Sequence, residues 1–380
     1  MNSELIVTGA RIVTRDEEFT GTVRVRKGRI VDVDRGEERC SGGVDLDGEY
    51  LIPGLIELHT DNLETQFQPR PGVLWPSAMA ALVAHDTQVV GAGITTVLNG
   101  ICCGEIQEGK MRRTLLGMSL AAMNEGRTKG VLRADHFLHL RCEICDPHVL
   151  EMFEPASDES TLRLVSLMDH TPGQRQFENV ETYRKYYGNK GWTDEEYCHV
   201  ISGLSEAQVR YAIPHRKAIL ERCRELGVPA ASHDDTSPAH VDEAFGEGIS
   251  ITEFPTTLKA AERARELGLK SVMGAPNIVR GGSHSGNVSA LLLGEHGLLD
   301  CLSSDYVPAS LLHAAFLLRE KLDCTLPDAL TTVTAAPAEV LGMDDRGEIA
   351  VGRLGDLVHV RLVDGYPVVR RVWRGGVRVL

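Results

Sequence analysis

Between residues 51 and 345 the chain repeats one rhythm eight times: a short apolar run, then a stretch long enough for a helix. The runs are LIPGLIELHTD, GITTVLNG, HFLHLRCE, LRLVSLMDH, VPAASHDD, ISITEFP, KSVMGAPN and LLDCLSSD. Segments such as AHVDEAFGEG and TLKAAERARELG lie between them and suit the crossovers that join parallel strands. Eight such units close naturally into a barrel. The expected fold class is therefore α/β, a (β/α)8 TIM-like barrel over 51–345. The flanks differ. Residues 1–50 and 346–380 alternate apolar and polar positions, as in GTVRVRKGRIVDVDRG and GDLVHVRLVDGYPVVRRVWRGG, which is the pattern of half-buried strands. They are expected to form one small β domain, with 1–50 and 346–380 as its two parts.

Barrel enzymes carry their chemistry where strands end and loops begin. Here the first run ends in His59-Thr60-Asp61, and the third carries His139, Arg141 and Glu143. The fourth ends in Asp169-His170 and the fifth in His233-Asp234-Asp235. Glu253, Asn277 and Asp305 follow on the last three. A buried carboxylate or imidazole needs a partner, and a shared cation supplies one to many at once. His59 and Asp61 are two apart on a strand, so they share a face and can share an ion. Mixed nitrogen and oxygen donors suit one or two divalent metal ions, Zn, Mn or Fe, without choosing among them. Such an ion lowers the pKa of bound water to about 7. Asp305 is placed to orient that water and take its proton.

The net charge is −14, from 40 basic and 54 acidic residues, which argues against nucleic-acid or anionic-membrane partners. A small polyanion remains compatible, because a metal and a few arginines reverse the field locally. No apolar run reaches the roughly 18 residues of a membrane span, and the N-terminus lacks a secretory pattern. Nine scattered cysteines, an odd number, read as reduced thiols of a cytoplasmic protein. Cys142 and Cys145 form a lone C-x-x-C, read as neighbouring thiols. Self-association into a homo-oligomer is compatible with this composition. The connection over 171–200, with Tyr183, Tyr186, Tyr187, Trp192 and Tyr197, is long enough for a lid or a packed surface excursion.

The opening PGLIELHTD and the tail TAAPAEVLGMDDRGEIAVGRLGDLVHV, followed by VWRGGVRV, resemble the amidohydrolase superfamily. Further stretches, including PRPGVLWP, SLMDHTPGQRQF, ASHDD, EFPTT, MGAPNIVRGGSHSGN and LSSDYVPASLL, resemble its phosphonate-catabolism diphosphohydrolase branch. The resemblance implies hydrolysis of a ribose 1-methylphosphonate 5-triphosphate, a small phosphorylated sugar, to the 5-phosphate and pyrophosphate. It implies His59, Asp61, His233 and Asp305 as metal ligands, completed by Glu143 and His170. Three positions depart from the expected pattern. The first strand has His-x-Asp where His-x-His is usual, and the sixth offers Glu253 where a histidine is usual, leaving Glu253 open as a further metal ligand, a substrate contact or a support of the site. Asn99 stands where an acid is expected, which puts any catalytic help from that position in doubt. A triphosphate also needs donors. Arg70, Arg141, Arg175 and Arg280 are the cationic candidates, with Asn277 and His284 beside them. Arg280 leads into GGSHSGN after the seventh strand, a region where barrels often hold phosphate. The competing readings are hydrolysis of a cyclic amide or N-acyl bond by the same metals, and a non-catalytic assembly subunit.

Overall fold

The computed structural model describes residues 4–36, 42–105, 111–177, 183, 193–283 and 285–380, with only the backbone of Gln176. The strands are β1 (Glu4–Val13), β2 (Glu18–Arg26), β3 (Arg29–Arg35), β4 (Val44–Asp45), β5 (Tyr50–Pro53), β6 (Leu55–Thr60), β7 (Ile94–Cys103) and β8 (Asp135–Glu143). They continue with β9 (Leu162–Met168), β10 (Ala230–His233), β11 (Ile251–Glu253), β12 (Lys270–Gly274), β13 (Cys301–Ser303), β14 (Leu357–Val363), β15 (Tyr366–Arg374) and β16 (Val377–Arg378).

Both termini build one sheet, in the order β16-β15-β14-β5-β1-β2-β3, with β4 beside β1. The join between the two ends of the chain is the antiparallel pair β5–β14, which sets Pro53 opposite Leu357 and Leu51 opposite His359. Its inward positions, Val7, Ile12, Val23, Val25, Leu51, Leu357 and Trp373, form a buried cluster, as the period-two pattern anticipated. The run LIPGLIELHTD proves to be two strands. Its first residues complete this sheet as β5, and Gly54 separates them from β6.

The eight apolar runs contribute β6 to β13, which stand in sequence order in a second, parallel sheet. Thr60 and Asp305 form a parallel bridge. The Asp305 N–H donates to His59 O at 3.0 Å, and the Asp61 N–H donates to Asp305 O at 2.9 Å. The first strand thus meets the end of the last, and the sheet is that of a (β/α)8 barrel. Cα proximity divides the chain into two compact units. The first comprises Met1–Asn99, Ala122–Phe137 and Met273–Leu380, and the second Gly100–Ala121 and Leu138–Val272.

Local signals fix the helices. The helix Asp194–Leu226 starts from a capping box between Thr193 and Glu196 and stops where Gly227 turns left-handed at φ 63°. It takes up the end of the long connection after β9. Leu258–Leu267 is capped by Thr257 and buries Ala260, Ala261 and Ala264, small residues that let it lie close to its neighbours. Among the described residues no helix is long and apolar enough to cross a membrane.

Candidate metal centre

In the first unit, β6 delivers His59 and then Asp61, and the backbone after β13 delivers Asp305. Ligand atoms of these three lie within 4.8 Å of one another, with His59 Nε2 3.6 Å from Asp61 Oδ1. Asp305 adopts a left-handed φ of 55°, a conformation aspartate tolerates better than most side chains. It is held there by the backbone pairing to β6 and by Thr60 Oγ1, which donates to Asp305 O at 2.8 Å. Glu57 clamps the same corner from beneath. Its carboxylate accepts the N–H groups of His59 and Ser304, each at 2.7 Å. Burial pushes the Glu57 pKa up to about 7, with those hydrogen bonds opposing.

In the second unit, His170, His233 and Asp234 bring ligand atoms within 4.8 Å. His170 Nε2 is 3.9 Å and His233 Nε2 3.5 Å from Asp234 Oδ2. Each imidazole is backed through its other nitrogen. His170 Nδ1 lies 2.7 Å from Glu143 Oε2, and His233 Nδ1 lies 3.3 Å from Glu253 Oε2. A carboxylate behind Nδ1 fixes the N–H there and gives Nε2 the lone pair that a metal would take, the usual second layer of a metal site. Burial works to raise the Glu143 pKa, but the charges of His170 and Arg112 and the bond from His170 outweigh it, and the net shift is downward. Phe177 lies tilted against His170 and meets Tyr183 edge to face, and Phe254 meets His233 edge to face.

The donors fit a divalent cation of borderline or hard character: imidazole nitrogens and carboxylate oxygens, two carboxylates with one histidine in the first set and one carboxylate with two histidines in the second. Thiolate is not part of the set. Burial and the charges of Asp169 and Glu143 push the Cys145 thiol far up, so it stays protonated and donates to Asp169 Oδ1 at 3.2 Å. Cys142 is likewise a free, buried thiol.

Several expected residues sit differently from the sequence reading. Glu143, expected as a ligand, has both oxygens turned to His170, whose backbone N–H it also accepts at 3.1 Å. Arg175, expected to meet phosphate, is buried and bound to Asp235, with a second bond to His233 O at 3.2 Å. Its guanidinium steadies the strand that carries His233. Asn277 lies in the helix Ala275–Arg280, where its Oδ1 accepts the Ala290 N–H at 3.1 Å. Arg280 is exposed at the end of that helix, 3.5 Å from Tyr306 Oη, one residue past Asp305. Gly281 and Gly282 follow it with φ of 78° and 158°. Arg70 is exposed in a turn and Arg141 is half-buried in β8. His284 and the aromatic residues Tyr186, Tyr187 and Trp192 lie outside the described residues. Sequence reasoning did not assign a role to Asp234, Glu57 or Asn62. The HDD triplet signalled the first, whereas the other two are visible only through their hydrogen bonds.

Residues 134–380 match the model of the amidohydrolase family. The chain is 44% identical over 378 residues to the alpha-D-ribose 1-methylphosphonate 5-triphosphate diphosphatase of Escherichia coli, covering 99% of this chain and 100% of that protein. Among solved structures it is similar to a 5-methylcytosine deaminase from Klebsiella pneumoniae, with a TM-score of 0.67, 14% identity and 99% of this chain and 97% of that one covered. It is also similar to a dihydropyrimidinase from Brevibacillus agri, with a TM-score of 0.65, 15% identity and 100% and 95% covered.

Proposed function

From the premise that this chain belongs to the amidohydrolase family, we propose that it hydrolyses alpha-D-ribose 1-methylphosphonate 5-triphosphate to the 5-phosphate and pyrophosphate. The observation that carries this reading is the match to the Escherichia coli diphosphatase over essentially the whole of both chains. At 44% identity without truncation, the strand-end residues and the loops between them are compared together, not the barrel alone.

The proposed holders of one or two divalent ions are His59, Asp61, His170, His233 and Asp305, with Asp234 as an added donor and Glu143 and Glu253 orienting the histidines. A bound divalent ion supplies Lewis acidity and a more acidic water at neutral pH. The remaining work belongs to the chain. Asp305 takes a proton from the attacking water, and its left-handed backbone, pinned on both sides to β6, keeps the carboxylate turned toward His59. Arg280 and Tyr306 present donors to phosphate oxygens; the N–H groups of Gly281 and Gly282 close the end of the preceding helix on Ile278 O and Asn277 O, and the two glycines add no side chain that would obstruct an anion there. Asn277 holds the loop after Arg280 through Ala290. Arg175 acts indirectly, by holding the backbone of His233.

The test is product identity. Purified protein with added Mn²⁺, Zn²⁺ or Fe²⁺ is expected to release pyrophosphate from the ribose triphosphate and to leave a cyclic imide intact. Hydrolysis of the imide without pyrophosphate release would replace this reading with amide cleavage.

A further inference from the structure

Beneath β6 and β7 in the first unit, five polar side chains are buried in a continuous line: Asn62, His85, Asn99, His136 and Asp86. Asn62 Nδ2 lies 2.8 Å from His85 Nδ1, and His85 Nε2 lies 2.8 Å from Asn99 Oδ1. Asn99 Nδ2 donates to Phe137 O at 2.8 Å and lies 3.3 Å from His136 Nδ1. His136 Nε2 is 3.2 Å from Asp86 Oδ1, which also accepts the N–H groups of Arg133 and Ala134.

The direction of every bond in this line follows from one fixed acceptor. The Phe137 carbonyl can only accept, so the Asn99 amide must turn its nitrogen toward it and its oxygen toward His85. His85 must then carry its proton on Nε2. Burial, reinforced by His136, drives the His85 pKa down to about 3, so a second proton is not held and Nδ1 is bare. A bare Nδ1 accepts, so Asn62 donates, and its other amide proton goes to Gln88 Oε1 at 2.7 Å. On the other side His136 accepts at Nδ1 and donates from Nε2 to Asp86. All five groups are satisfied in one sense only. A carboxylate at position 99 could accept from His85 but could not donate to Phe137 O and His136 together.

Asn62 is the residue after Asp61. It opens the short helix Asn62–Phe67, for which Asp61 is the N-cap residue, and its N–H faces Thr60 Oγ1 at 3.3 Å. We propose that Asn99 is a positioning residue for this hydrolase: it selects the His85 tautomer that anchors Asn62, and so fixes the backbone from which Asp61 reaches the metal. The proposal rests on the metal-hydrolase reading above. It also gives the amide at position 99 a function of its own, in place of the missing acid.

Histidine-selective ¹⁵N NMR between about pH 6 and 8 reads the tautomers directly. His85, assigned with His85→Gln, is expected to be neutral with Nδ1 bare; a proton on Nδ1 or an imidazolium there overturns the proposal. Asn99→Leu keeps the volume and deletes both functions of the amide. It is expected to change the visible absorption of the Co²⁺-loaded protein and to lower kcat by roughly tenfold or more, with KM within about threefold. Asn62→Leu cuts only the last link and should reproduce those effects if Asn99→Leu does not fold. A folded variant with an unaltered Co²⁺ spectrum and unaltered kcat overturns the proposal. The NMR and Co²⁺ measurements use no substrate. If they behave as expected while no triphosphate is cleaved, the substrate assignment fails and the positioning role stands.

Discussion

His85 sits without solvent contact between two amides, and burial is the main reason its pKa falls to about 3. In the unfolded chain the same imidazole titrates near its ordinary value of about 6.5. Below that value the unfolded state takes up a proton that the folded state does not. The contribution is therefore fully present above about pH 6.5 and is lost as pH falls toward 3, at about 1.4 kcal/mol per pH unit for one proton. His85→Gln should remove one proton from the acid slope of stability, read as urea unfolding free energy at pH 5 and 6; an unchanged slope would show that another group dominates there. Asp305 and Arg280 are expected to separate kinetically. Asp305→Ala removes a proton acceptor needed in the transition state and should lower kcat by roughly a hundredfold or more. Arg280→Ala removes phosphate binding present before and during reaction, and should mainly raise KM. Steady-state kinetics in which both variants move both constants alike would contradict these roles.

At the scale of elements, Gly54 is the tightest joint. It separates β5 in the terminal sheet from β6 in the barrel, and its N–H donates to Asp356 O at 2.8 Å. A Cβ at this position would stand 2.1 Å from Thr95 Oγ1 on β7, with the rest of that side chain also closer than 3.0 Å. Thr95 is buried and branched at Cβ, so it has little room to turn away. Gly54→Ala should cost about 1–3 kcal/mol through overpacking, and Thr95→Ala in the same chain should restore much of the loss; denaturation midpoints of the two variants check this. The joint also shows where reading the sequence runs out. Periodicity exposed all eight barrel runs and both halves of the terminal sheet, because burial on two faces or one writes itself into residue order. It did not divide LIPGLIELHTD, since β5 and β6 are both apolar and only the glycine separates them. His59, Asp61, His170, His233 and Asp305 stood out as candidate donors because polar groups at strand ends conflict with packing, and the structure gathers them into two candidate ligand groups. Asn99 was noticed only as a departure, and Asn62 and Glu57 went unassigned, because hydrogen-bond partners distant in sequence leave no local pattern; Asp234 was signalled by the HDD triplet but given no role.

At the scale of the molecule, the proposed reaction raises the question of which phosphorus is attacked. Three features of the first unit lie together: Asp305, Tyr306 next to it in the chain, and Arg280, 3.5 Å from the Tyr306 hydroxyl. His59 and Asp61 share a ligand group with Asp305. If the α-phosphate lies at that group, the β- and γ-phosphates extend toward Arg280 and Tyr306. Charge then develops on the departing pyrophosphate where the Arg280 guanidinium and the Tyr306 hydroxyl can receive it. Water oxygen bonds to the α-phosphorus, the bond from that phosphorus to the α,β-bridging oxygen breaks, and Asp305 accepts a proton. The reverse placement puts the γ-phosphate at the ligand group and releases orthophosphate. Hydrolysis in ¹⁸O water separates the two by mass. Label is expected in the sugar 5-phosphate and absent from pyrophosphate. Label in pyrophosphate means attack at the β-phosphorus, and label in orthophosphate means the triphosphate binds end for end. Arg280→Ala adds a second check: with the β- and γ-phosphates at Arg280, KM should rise more for the triphosphate than the competitive inhibition constant does for the 5-phosphate product, which lacks both groups. Equal losses for the two would place Arg280 at the α-phosphate instead.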